Sequence, residues 1–475
     1  MLQDKVTKKI SELSSDFSEK NLERSFFSSG FKALNLTACF SEFSHFKSKG
    51  YSFQSVLSLL LWMTTQAGKT VNSSLPALID NGVVMGKDVF FRLKNNEKIN
   101  WRRLLWHIAT KFISQTQNEI EQGTIRCLIF DDTLLEKSGR RIEKIGKVHD
   151  HVSNSFKLGF KLLVGLYWDG KSSIPLDFGL FREKGQREEK PYGMTKKELG
   201  RQYNKKRMRD AEGVKRIKEL DKSKIEIMLQ IFYMAVFHSI AIDYVLCDSW
   251  FTCQALITAV RSHNVHLIGM YKFIATKFKY QTKMLNYKQI NASIKGVTRC
   301  RRMKLQYKRA DVMLGDMPVT LFFSRQGNNV KWKVILTTDT KLSFVKLIEI
   351  YQIRWSVEVF FKECKQLLNL GGCQSSNFDA QIADNTISMI AYILLAFRYR
   401  YSNYESMGEL FRAMNADYMK QTIDKRLWEL FVVVLNEICQ ALEKDIDELF
   451  ELIMNRPETA KLVSTMMQPP LLVAV

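Results

Sequence analysis

Three carboxylate positions, far apart along the chain, carry the chemistry this sequence can support. Asp131-Asp132-Thr133 closes the apolar run 125–130, Asp248 closes a second run at 242–247, and Glu358 sits in a late, cation-rich stretch. Carboxylates delivered by separate elements suit a hard, octahedral cation such as Mg²⁺, which takes oxygen donors and keeps positions for water and phosphate. Two such ions about 3.5–4 Å apart clamp the attacking and leaving oxygens of an in-line phosphoryl displacement. Taken singly, each position has a plainer reading. An Asp at a strand end is commonly a turn former, and Arg354-Glu358-Lys362 would serve as ordinary i, i+4 pairs on a solvated helix. Their coincidence in one strongly basic chain favours the metal site.

The late stretch reads Tyr351-Gln-Ile-Arg354-Trp355-Ser-Val-Glu358-Val-Phe-Phe-Lys362-Glu-Cys-Lys365. It predicts one helix over 343–370, with no Pro or Gly in that span and apolar residues recurring at three and four. Tyr351, Glu358 and Lys365 lie a heptad apart and drift about 20° per step. Arg354, Trp355 and Lys362 fall within roughly 60° of that line. One face therefore holds a single carboxylate among three cations and two aromatics, while Ile350, Ile353, Val357, Phe360, Phe361 and Leu368 form a side to bury. A positive face beside the carboxylates would hold the strand being cut.

The rest of the chain supplies the elements that position these groups. Its 475 residues carry a net charge of +22, which calls for an anionic partner, nucleic acid before a membrane surface. The N-terminus is polar, without the apolar core of a signal peptide. The apolar runs at 56–63 and 387–397 are too short to span a bilayer and read as core helices. The eight cysteines are scattered with no CxxC pair, which argues against zinc and for reduced thiols in a cytoplasmic protein.

Residues 1–120 read as helical, with a polar break at 72–81 around Pro76. A basic, aromatic helix then carries Arg102 and Arg103, a combination suited to phosphate contacts. From 121 the pattern becomes mixed. Strands are expected at 125–130, 160–168 and 174–181, then a basic segment at 184–224 containing Lys205-Lys206-Arg207-Met208-Arg209, for which a nucleic acid backbone is the natural counter-charge and which would be partly disordered without it. A helix from 224, a strand at 242–247, a helix at 251–262 and a strand at 265–270 follow. A β-leaning insertion at 271–342 precedes the late helix, and 401–475 reads as a helical tail. The fold class is α/β.

The spacing Tyr351-x2-Arg354-x3-Glu358-x6-Lys365 matches the Y-(2)-R-(3)-E-(6)-K signature of IS4-type insertion-sequence transposases. The contexts of Asp-Asp-Thr and of Asp248 resemble the other two members of that family's DDE triad, so the resemblance covers roughly 120–400. It implies an RNase H-like core, split as 121–270 and 343–400 around the β-rich insertion 271–342, with helical DNA-binding and C-terminal regions outside it. It implies that Asp132, Asp248 and Glu358 bind two Mg²⁺ ions, with Mn²⁺ as substitute. Asp132 is favoured because the family's first Asp directly precedes Thr, and Asp131 is the alternative.

The family cuts transposon ends with metal-activated water, passes in some relatives through a DNA hairpin, and joins the 3′-OH to target DNA. Tyr351, Arg354 and Lys365 would contact phosphates of double-stranded end DNA, with Lys362 beside them. An aromatic must receive the base that leaves the stack, and Trp355 and Trp332 are the candidates, although core packing is the favoured reading of Trp332, which alternates with Val330 and Val334. A homodimer on DNA is implied, in a bacterial cytoplasm. One departure is that Ser-Trp-Phe follows Asp248 where some relatives place Arg-Glu. His149 and His151 receive no role. The alternatives are a related nuclease without strand transfer and a catalytically inactive end-binding descendant. A peripheral membrane protein would need a basic, Trp-bearing amphipathic helix that the chain lacks.

Overall fold

The structure is a computed structural model that describes residues 28–47, 49–66, 70–80, 85–185, 187–327 and 331–416, with Val434, Ile438 and 455–458. The chain divides into two compact units, one of Met1–Ser28, Pro76–Val84 and Gly408–Val475, the other of Ser29–Leu75 and Met85–Met407. The second unit holds the candidate site. Most of the expected helical tail, with Cys439, lies outside the described residues.

The N-terminal part is helical: α1 (Ser28–Ala33), α2 (Leu36–Ser41), α3 (Phe53–Thr65), α4 (Val71–Asp80), α5 (Lys87–Lys94) and α6 (Trp101–Thr116). Ser52 and Asn100 cap α3 and α6 by accepting the backbone N–H three residues on, which satisfies donors the first turn leaves open. The polar break expected around Pro76 is instead helical, with Pro76 inside α4; proline's φ suits a helix, and the cost is one missing N–H donor and crowding against the preceding turn.

The sheet begins with β1 (Cys127–Glu136), β2 (Gly146–Asp150), β3 (Ser155–Trp168) and β4 (Ser173–Phe181). Asp169 makes the β3–β4 turn by accepting the N–H of Lys171 and of Ser172, and Gly170 supplies the positive φ of 95°. After α7 (Lys196–Gly200), α8 (Glu212–Glu219) and α9 (Lys224–Phe237) come β5 (Tyr244–Cys247), α10 (Gln254–Ser262) and β6 (His266–Met270). Five strands run β4-β3-β1-β5-β6, antiparallel through β3 and parallel from β1 to β6. This mixed order is consistent with an RNase H-like core. Helix α9 lies close on it because Gly165 has no side chain: a Cβ there would stand 2.5 Å from Ile231 Cγ2.

The insertion contributes β7 (Phe278–Tyr280), β8 (Lys283–Leu285), α11 (Tyr287–Ser293), β9 (Thr298–Cys300), β10 (Leu305–Leu314), β11 (Met317–Gln326) and β12 (Lys333–Thr337). Its strands continue the core sheet, since β12 pairs antiparallel with β6, giving 12 strands in all. Last come α12 (Phe344–Gln352), α13 (Ser356–Leu368) and α14 (Phe378–Arg400). Helix α14, 23 residues long, is long and apolar enough to cross a bilayer, yet 94% of its most apolar window is buried inside the protein. It is the central core helix, packed on α3, α6, α13 and β4, with Phe112–Phe397 and Phe360–Tyr392 ring contacts at 5.8 and 4.8 Å.

The basic segment 184–224 departs from expectation. It is described throughout except at 186, and part of its charge faces inward. Arg207, 3% exposed, donates to Glu143 at 2.5 Å and Asp379 at 3.1 Å, and Lys205 reaches Asp379 and Glu97. Buried charges are tolerated only when so paired. Lys206 and Arg209 remain exposed.

Candidate active site

The parallel ladder between β1 and β5 runs from Cys127 opposite Tyr244 to Phe130 opposite Cys247. The next residues are Asp131 and Asp248. Past this rung β1 continues to Glu136 with β3 as its partner, so the aspartates lie within a strand where the sequence pattern suggested its end. Successive side chains of a strand face opposite sides, which separates the two neighbouring aspartates. Asp131 accepts a hydrogen bond from Arg354 at 2.8 Å. Asp132 faces Lys224 at 2.9 Å, with Lys161 at 4.0 Å. It is therefore Asp131, not the favoured Asp132, that is joined to the face bearing Arg354 and Glu358.

Asp248 is set by a tight turn. Its Oδ1 accepts the Trp250 N–H at 2.8 Å and its carbonyl accepts Thr252 Oγ1 at 2.8 Å. Burial raises its carboxyl above the usual range, and the nearby Asp132 adds to this. Burial also pushes Asp131 up to about 7, with Asp248 and Asp132 adding repulsion and Arg354 opposing.

The late helix is not continuous. Ile353–Trp355 forms a 3-10 turn between α12 and α13, and Asn369, at a φ of 62°, ends α13. Several residues expected to touch DNA are used inside the protein instead. The Tyr351 hydroxyl donates to the Cys247 carbonyl at 3.4 Å, fastening α12 under the end of β5. Lys365 donates to Thr133 Oγ1 at 2.7 Å and to the Leu134 carbonyl at 3.0 Å, fastening α13 to β1. Arg354 also donates to Glu358, at 2.8 Å. Arg102 turns inward onto Glu219 and Asp177, at 2.5 and 2.6 Å, because these buried carboxylates need a counter-charge. Lys362 and Trp355 stay exposed, Arg103 is exposed and paired with Glu42, and Trp332 lies between Arg325 and Lys308.

Asp131, Asp132, Asp248 and Lys365 line a groove of about 1900 Å³, whose wall bears Lys147, Lys184, Arg187 and Lys190. His149 and His151, with rings 4.8 Å apart, line it too. So does Trp250, 58% exposed, with the Lys272 ammonium 2.9 Å from its ring centre. Sequence reasoning missed Trp250, although its place two residues after Asp248 was a usable signal. Nothing marked Lys161 and Lys224, whose partner Asp132 is remote in sequence.

Among the described residues no three His, Cys, Asp or Glu side chains close into a cation site, and Arg354 stands between Asp131 and Glu358. The donor chemistry nevertheless fits a hard divalent ion: oxygen ligands, with two aspartates whose charge burial disfavours.

Residues 217–394 match the family model "Transposase DDE domain", and residues 95–275 match "DDE superfamily endonuclease". Asp248 falls within both, Asp131 and Asp132 within the second and Glu358 within the first. The matches support a DDE-superfamily transposase. Families of this kind generally use divalent metals and act on DNA. No curated protein matches the chain.

Proposed function

We propose that this transposase is of the IS4 type, binds the terminal inverted repeats of an insertion sequence, cuts at the ends through a hairpin intermediate, and joins the 3′-OH ends to target DNA. The observation that carries the reading is the pair Asp131 and Asp248, one residue past a shared rung of two parallel strands and lining a groove with a basic wall, with Asp131 joined through Arg354 to Glu358. Asp131, Asp248 and Glu358 would hold two Mg²⁺ or Mn²⁺ ions. When bound, such ions supply charge neutralisation at the scissile phosphate and a nucleophile from water.

The remaining work belongs to the chain itself. Tyr351 and Lys365 fix the elements that carry the carboxylates, while Lys147, Lys184, Arg187 and Lys190 offer a track for phosphates. Trp355, and Trp250 with the Lys272 ammonium over its ring, offer exposed aromatic surface on which an unstacked base can rest. Ends must be handled in pairs, which favours a homodimer on DNA, at the nucleoid of a bacterial cytoplasm.

The test is cleavage of the terminal repeat flanking the gene, with Mg²⁺ or Mn²⁺, by the wild type and by Asp248→Ala. Metal-dependent cutting with a hairpin product, lost in the variant, supports the reading. Tight binding without cutting by either protein would replace it with an inactive end-binding descendant. Cutting without any joining to target would replace it with a nuclease.

A further inference from the structure

Arg354 does something that neither a solvated helix face nor a simple DNA contact requires. Its Nη1 donates to Asp131 Oδ2 and its Nη2 to Glu358 Oε1, each at 2.8 Å. One guanidinium thus ties a carboxylate of β1 to a carboxylate of α13. Its side chain is 16% exposed, comparable to Asp131 at 17% and well below Glu358 at 36%. The Tyr351 ring, 5.9 Å away, flanks it, and that tyrosine is itself fastened to Cys247.

A guanidinium in this place is a monovalent substitute for a divalent ion. It neutralises both carboxylates at once, and it engages lone pairs that an ion would need. The two demands on Asp131 and Glu358 conflict, so the arginine must leave before an ion is fully ligated. A phosphate is the group able to draw it away, since arginine forms strong, paired hydrogen bonds to phosphate oxygens. The groove lined by its partner Asp131, with basic residues on its wall, would bring phosphates toward this point.

We propose that Arg354 gates cation loading: in the free protein it occupies Asp131 and Glu358, and a DNA phosphate draws it off, so that DNA binding and divalent-cation binding strengthen each other. This rests on Asp131 and Glu358 being cation ligands, as read above, and adds the order in which the site fills. Reciprocity follows from thermodynamics: if DNA raises cation affinity by some factor, the cation raises DNA affinity by the same factor. A protein built this way stays weakly loaded until its substrate arrives.

The test is Mn²⁺ binding to the full-length protein without DNA, read by electron paramagnetic resonance of free Mn²⁺. The variants are Arg354→Gln, Arg354→Lys and Asp131→Asn, with circular dichroism confirming that each is folded. Arg354→Gln should bind Mn²⁺ about tenfold more tightly than the wild type, within the range usual for such coupling. Arg354→Lys should fall between them, because an ammonium lacks the fork that spans two carboxylates. Adding a DNA duplex should tighten Mn²⁺ binding in the wild type and change it little in Arg354→Gln. If neither Arg354 variant binds Mn²⁺ more tightly while Asp131→Asn abolishes binding, the ligand assignment stands and the gate is refuted. If Asp131→Asn binds Mn²⁺ as the wild type does, the ligand assignment itself fails, and the gate with it.

Discussion

Asp131 and Asp248 are the first residues past one shared rung, Phe130 opposite Cys247, on neighbouring parallel strands. The strands deliver both carboxylates to the same level, and Arg354 links the first of them to α13. Asp132, one residue on, lines the same groove but is paired with Lys224 and not with Arg354. This distinction can be tested directly. Asp131→Asn should abolish metal-dependent cutting while retaining DNA binding. Asp132→Asn should keep cutting but lower stability by about 1–3 kcal/mol, as two lysines lose a partner. Cleavage gels and thermal melts of both variants check this, and the reverse pattern would restore Asp132 as the ligand.

Stability of the metal-free protein should depend on pH through Asp131. Burial raises its carboxyl from the ordinary 3.8 to about 7. Between those values the native state keeps a proton that the unfolded chain has lost, so stability falls as pH rises through the window. The slope for one such group approaches about 1.4 kcal/mol per pH unit. Urea titrations from pH 4 to 8 should show the fall, and Asp131→Asn should flatten it; an equal slope in the variant would show that the native carboxyl is not raised.

Tyr351 is expected to act through the fold and not through DNA. Removing its hydroxyl in Tyr351→Phe should cost about 0.5–1.5 kcal/mol, the worth of one hydrogen bond. The salt dependence of DNA binding should be unchanged, and a shallower salt slope in filter binding would instead make Tyr351 a phosphate contact.

The basic residues should divide into two behaviours. Arg207→Met leaves Glu143 and Asp379 buried without their partner and should destabilise by about 3–5 kcal/mol. Lys184→Ala and Arg187→Ala, on the groove wall, should leave stability alone and each reduce the salt slope by about one. Equilibrium unfolding together with a salt titration of DNA binding separates the two classes.

Trp250→Ala should weaken binding to DNA with an unpaired base near the cut by about 1–3 kcal/mol. Fully paired duplex should be bound as before. Equal loss on both substrates would make the ring a packing group.

Much of this arrangement was legible in the sequence. The apolar runs ahead of Asp131 and Asp248 are short, β-rich and followed by polar residues, so their strands and order could be read locally. The apolar periodicity likewise marked the stretch of Tyr351, Glu358 and Lys365 as helical, although Tyr351 falls on α12 and the other two on α13. What escaped were facts that depend on a partner distant in the chain. Which of Asp131 and Asp132 meets Arg354 is decided by how β1 sits against its neighbours, and a run of apolar residues does not encode the face. Arg102 and Arg207 looked like DNA contacts because their partners, Asp177 and Glu219 for one, Glu143 and Asp379 for the other, come together only in the folded chain. The 3-10 turn at Ile353–Trp355 contains no Pro or Gly and therefore had no local marker.

The continuous sheet gives the insertion a mechanical meaning. Strands β10, β11 and β12 are hydrogen-bonded in series to β6, and β6 to β5. The insertion is thus joined to the core by main-chain hydrogen bonds within one sheet. A load on the β10–β11 hairpin would pass through β12 and β6 before reaching β5, the strand that leads to Asp248. Whatever grips the insertion would then bear on the candidate site through the same sheet.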